Sequence, residues 1–137
     1  QLARADPANA EVAGPLATLH GDLGYLLAEQ GDKDGAIAEL EQAIAMQEQA
    51  TGRMPAETMH RVNLGSSYAS LAQILQVKAK GLSGRERSAG IESSCRMYAH
   101  GLGLLDIPPP VPDYVTTQVK AMRADMGPCV QQAAVER

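Results

Sequence analysis

The residues of this chain that could do chemistry are three histidines, two cysteines and a scatter of serines, and none stands in a pattern that chemistry needs. His20, His60 and His100 share no helical spacing and lack HExxH or carboxylate companions, so they do not make a zinc set. Cys95 and Cys129 show neither CxxC spacing nor a histidine at ligand spacing, and whether they pair with each other stays open. Ser66-Ser67, Ser70 and Ser93-Ser94 fall outside any Gly-x-Ser-x-Gly elbow and read as small residues where helices touch. The six methionines read as core filling, with an adaptable apolar groove as the alternative. No catalytic or metal-ligating residue is assigned, no cofactor is expected, and the chain reads as a non-enzyme.

What remains is a scaffold, and its composition is that of packed helices. At 137 residues the chain is long enough for one domain with a core. Apolar residues make up 45%, yet there is no Phe or Trp and only four Tyr. Ala, Leu and Gly supply the rest, which suits close helix contacts and not a β-sandwich. The fold class is therefore all-α. Charge is unevenly spread: residues 1–50 hold two Lys/Arg against nine Asp/Glu, and residues 51–137 hold ten against seven. That balance is not the strongly basic one of a nucleic-acid binder. No run of 18 apolar residues exists, so no segment is expected to insert directly into a membrane.

Periodicity predicts five amphipathic helices. The first runs from about Pro15 to Gln30, with Gly14-Pro15 breaking or kinking the path before it. Gly31-Asp32 ends it and caps the second, about Lys33 to Ala50, which presents Ala36, Ile37, Leu40, Ala43 and Ile44 inward and stops at Thr51-Gly52. The third, about Pro55 to Lys80, presents Leu64, Tyr68, Leu71 and Leu75. After a loop at Gly81 to Gly84, Ser83-Gly84-Arg85-Glu86 reads as a capping box for the fourth, which presents Ile91, Cys95, Tyr98, Leu102 and Leu105. Pro108 to Pro112 is a stiff extended connector, and a fifth helix begins near Asp113, kinked or interrupted at Gly127-Pro128.

The chain also matches itself when shifted by 48 residues: Pro7-Ala8 falls on Pro55-Ala56, Leu16 on Leu64, His20 on Tyr68, Leu23 on Leu71, Gly24 on Ala72 and Leu27 on Leu75. Self-similar helix pairs at a fixed period are the mark of an α-solenoid. The run His20-Gly21-Asp22-Leu23-Gly24-Tyr25-Leu26-Leu27, the turn at Gly31, and Ala36, Leu40, Ala43 and Ile44 after it resemble the tetratricopeptide repeat. In the second pair Tyr68, Leu71-Ala72, Leu75, Ser94, Tyr98, Gly101 and Leu102 match less closely. His20 stands where the family carries an aromatic residue, and Glu48 where it closes on Pro. Leu23 to Ala36 spans 13 residues but Leu71 to Ser94 spans 23, so the second pair carries a ten-residue insertion at residues 78–87. The long period and Ala5-Asp6-Pro7-Ala8-Asn9 resemble the repeats appended to bacterial serine/threonine protein kinases, although no kinase motif is present.

The resemblance implies a single domain. Residues 1–6 are the tail of a preceding repeat, 7–52 and 53–107 are two repeats, 108–112 is the connector and 113–137 is a capping helix. It implies a protein-interaction or scaffolding module, the regulatory end of a larger bacterial signalling protein, in the cytoplasm or in the soluble part of a membrane-anchored one. The partner is a protein or peptide in the groove lined by the first helix of each pair: Gly21, Tyr25, Ala28 and Glu29, then Ala69, Gln73, Gln76 and Val77. Of these, Tyr25, Glu29, Gln73 and Gln76 are the main candidates. A second expected docking element is the basic insertion, with Lys78, Lys80, Arg85 and Arg87. Self-assembly is the alternative function: two repeats leave an N-terminal edge, with Leu16, Leu19 and Leu26 exposed, through which a homodimer would form.

Overall fold

The computed structural model describes residues 10–53 and 57–129, and side chains from residue 19 onward. The expectations for residues 1–6, for Pro7-Ala8, for Pro55-Ala56 and for the end of the capping helix lie outside them. Among the described residues the chain is all-helical: α1 (Ala10–Glu29), α2 (Lys33–Arg53), α3 (Thr58–Lys80), α4 (Gly84–Leu105) and α5 (Asp113–Asp125), with no strand. α1 packs on α2, α3 on α4, and α2 joins the two pairs through α3, while α5 rests on α3 and α4.

The α1–α2 turn forms for local reasons. Gly31 takes the left-handed conformation (φ 87°), which lets Asp32 N–H reach the Leu27 carbonyl at 2.8 Å and Gly31 N–H reach Ala28 at 3.0 Å. This closes the last turn of α1. Asp32 then caps α2, its Oδ1 accepting from Gly35 N–H at 2.9 Å. The two pairs cross at corresponding positions. A Cβ on Gly24 would stand 3.3 Å from the Ala36 carbonyl, and Ser94 Oγ donates to the Ala72 carbonyl at 2.7 Å.

Packing forms two clusters. Leu40 and Ile44 of α2 meet Leu64 and Leu71 of α3, flanked by Ile37, Tyr68 and Ile74. Val62, Ala72, Tyr98, Leu105, Val115 and Met122 bind α3, α4 and α5 together. Ile107 anchors the connector in the same cluster at 7% exposure, which then bends at the cis Pro109–Pro110 bond instead of running fully extended.

Several local expectations are corrected. α1 is not broken at Gly14-Pro15 but runs through them; Pro15 lies in the second turn, where its missing N–H forfeits the bond to the Glu11 carbonyl. α2 continues past Thr51-Gly52 to Arg53, with the Thr51 hydroxyl satisfied within the helix by donating back to the Gln47 carbonyl at 2.8 Å. Ser83 makes no side-chain cap, because the chain enters α4 through left-handed Gly84 (φ 60°). Residues 78–87 form no separate loop. They are the last turn of α3, a three-residue link and the first turn of α4, so the extra length is absorbed as helix.

Candidate partner-binding groove

A groove of about 290 Å³ opens between α1 and α3 over the end of α2. Gly21, Tyr25 and Ala28 form its α1 wall because three- and four-residue spacing puts them on one face. Gln73 and Val77 form the α3 wall by the same spacing, and Leu40 of α2 makes the floor. Glu29 and Lys33 stand at the end near the α1–α2 turn. Tyr25 is 65% exposed and Val77 48%, so the groove presents an aromatic ring and an aliphatic side chain to solvent. Its polar lining groups are Tyr25, Glu29, Lys33, Ser70 and Gln73, and among the described residues no three His, Cys, Asp or Glu side chains converge on a metal position.

Tyr25, Glu29 and Gln73 are therefore brought together, as the groove assignment requires. Gln76 is not. It is buried on another side of α3, where its Nε2 donates to the Asp125 carbonyl at 2.8 Å and satisfies the C-terminal end of α5. Ala69 faces the same way and lines a smaller hollow of about 140 Å³ with Tyr98, Gln118 and Met122. The groove also contains Lys33, Ser70 and Ile74. The motif did not assign them, although Ser70 and Ile74 follow from three-residue spacing with Gln73 and Val77.

Ser70 and Gln73 line both hollows, so α3 is a shared wall between the groove and the seat of α5. α5 is fixed there by several bonds. Besides Gln76, Ser66 Oγ donates to Gln118 Oε1 at 2.8 Å. The Tyr98 hydroxyl lies 3.5 Å from Asp125 Oδ2, and burial next to that carboxylate pushes the phenol up to about 12. A disulfide joins Cys95 of α4 to Cys129, just beyond α5. The pairing that sequence left open is thus made.

Comparison of the chain with family models, with curated proteins and with solved structures finds no match in any of the three.

The basic residues of 78–87 are divided between the end of α3 and the start of α4. Lys78 reaches from α3 to α2, donating to Asp34 Oδ1 at 2.7 Å. This hydrogen bond and the ammonium charge hold the Asp34 carboxyl below its ordinary range. Lys80 is exposed in the last turn of α3, and Arg85 and Arg87 are exposed in the first turn of α4. Nor does any described helix have the length and apolar character to cross a membrane. His20 bridges the first pair, its Nδ1 2.5 Å from Glu39 Oε2 of α2.

Proposed function

We propose that this chain is a non-catalytic protein-interaction module, built of tetratricopeptide-like helix pairs, that binds a peptide segment of another protein in the α1–α3 groove. The observation that carries this reading is the groove itself. Its exposed Tyr25 and Val77 offer apolar anchoring area, and Glu29, Lys33 and Gln73 offer a few polar contacts at defined places. Small-molecule sites bury most of their ligand in about 300–1,000 Å³. This groove is at the lower edge of that range and open along solvent-exposed side chains, which suits a segment lying across it. The equivalent crossings, Gly24 on Ala36 and Ala72 on Ser94, support the reading as a repeat. A regulatory or scaffolding place in a larger protein belongs to the same proposal.

The test is affinity capture with the intact chain against Tyr25→Ala and Gln73→Ala, with far-ultraviolet circular dichroism as the folding control. Loss of a discrete bound protein in both variants, with the helical signal unchanged, is the expected result. Loss confined to Arg85→Ala and Arg87→Ala, with steep salt dependence, would move the site to the start of α4 and overturn the groove assignment.

A further inference from the structure

The strongest unexplained feature lies on α1, on the side away from the groove. Leu19, Leu23 and Leu26 are 63%, 43% and 55% exposed. At helical spacing they form one stripe. The 48-residue self-match supplies an internal reference for it. Leu23 corresponds to Leu71 and Leu26 to Ile74. On α3, Leu71 is buried at 6% in a cluster with Leu40 and Ile44 of α2, and Ile74 packs against that cluster. The same register that α3 covers with a helix is left open on α1.

What could cover it is constrained by charge. Asp22 and Glu29 are exposed, and helical spacing puts them between the Leu stripe and the groove. Neither is in an ion pair with a described residue. Their counterparts on α3 are Ser70 and Val77, so packing against an α2-like helix does not itself require acids there. α1 contains three carboxylates and no Lys or Arg. A second copy fits poorly. Stripe against stripe would align two acidic rows with no cation on either helix, and like charges so placed disfavour association. The apolar stripes of α2 and α5, Leu40 with Ile44 and Val115 with Met122, are already buried, and the exposed Met59, Val111 and Tyr114 do not form a stripe along one helix.

We infer that the outer face of α1 is a second docking surface, which takes an amphipathic helix of another protein with aliphatic side chains along one stripe and Lys or Arg along its flank. The stripe of that helix covers Leu19, Leu23 and Leu26 as α2 covers Leu71, and its cations meet Asp22 and Glu29. This surface shares only Glu29 with the groove, at the groove's end; its Leu stripe and Asp22 lie outside it, so Leu23→Asp and Leu26→Asp test it without touching the groove walls.

The test titrates the full chain into a dye-labelled synthetic helix with Leu at i, i+3, i+4 and i+7 and Lys on the flanks, followed by fluorescence anisotropy. The same peptide with Glu flanks is the control. The Lys peptide should bind at least about tenfold more tightly than the Glu peptide, with affinity falling as salt rises. Leu26→Asp should abolish binding with helicity unchanged, Leu23→Asp should do the same, and Asp22→Asn with Glu29→Gln should flatten the salt dependence. Tyr25→Ala should leave binding as it is. Equal binding of the two peptides, or loss with Tyr25→Ala but not Leu26→Asp, would overturn the inference. So would a concentration-dependent dimer in sedimentation that Leu26→Asp disperses, since the occupant would then be a second copy.

Discussion

Gly65 of α3 and Gly101 of α4 face each other where these helices cross. A Cβ on Gly65 would stand 3.1 Å from the Gly101 carbonyl, and one on Gly101 would stand 3.0 Å from the Gly65 carbonyl. The reciprocity means that neither backbone can yield without moving the other. Gly65→Ala would also bring its Cβ to 2.8 Å from Leu105 Cγ. Either substitution should cost about 1–3 kcal/mol, as overpacking does. Gly103, on the same helix as Gly101, has nothing within 4 Å of its would-be Cβ, so Gly103→Ala should stabilise by up to about 1 kcal/mol through helix propensity. Thermal melts of the variants check the opposite signs.

Core and surface should separate equally clearly. Leu40 is 3% exposed and Leu71 6%, both in the cluster between the helix pairs. Leu40→Ala or Leu71→Ala should each cost about 2–5 kcal/mol, whereas exposed Lys80→Ala should stay within about 0.5 kcal/mol. Urea titration measures both. Similar losses at all three positions would contradict the assignment of inside and outside.

Periodicity went a long way here, and its limits have physical causes. Ala36, Leu40, Ala43 and Ile44 are all buried on the predicted face of α2, since one apolar stripe on a helix packed from two sides leaves little ambiguity. Tyr25, Glu29 and Gln73, which line one hollow, were legible as neighbours only through the tetratricopeptide resemblance, which implies a groove along one face of each first helix. Gln76 was not. Its amide is consumed by the end of α5, a contact 49 residues away that no local pattern announces. The Cys95–Cys129 bond was hidden for the same reason, because it depends on how α5 returns to α4. Leu23 lies in the most recognisable stretch of the sequence and is nonetheless exposed, because spacing marks which residues share a helix face and not whether another helix covers it.

The disulfide should matter to stability through the chain it closes. Its partners are 34 residues apart, and closing a loop of that size is worth about 2–4 kcal/mol. Reduction by a dithiol should lower the urea midpoint accordingly. Cys95→Ala should show the lowered midpoint from the outset and no further response to reductant.

Alkaline unfolding should report on Tyr98. Its phenol is raised in the folded protein to about 12 by burial next to Asp125, against about 10 when exposed. The folded state therefore holds this proton more tightly than the unfolded state. The stabilisation is complete below pH ~10 and is lost as pH rises towards ~12. Denaturant midpoints should fall across that window in the parent chain, and Tyr98→Phe should remove that part of the decline.

Whether the α1–α3 groove holds another protein can be read by site-specific photocrosslinking. A photoreactive amino acid is placed at Tyr25 or at Val77, both exposed in the groove, and at Arg87 on the exposed start of α4 as the reference position. Irradiation in cells that make the chain should give a discrete protein adduct from Tyr25 and Val77 and none from Arg87. No adduct from either groove position, or the same adduct from Arg87, would contradict the account.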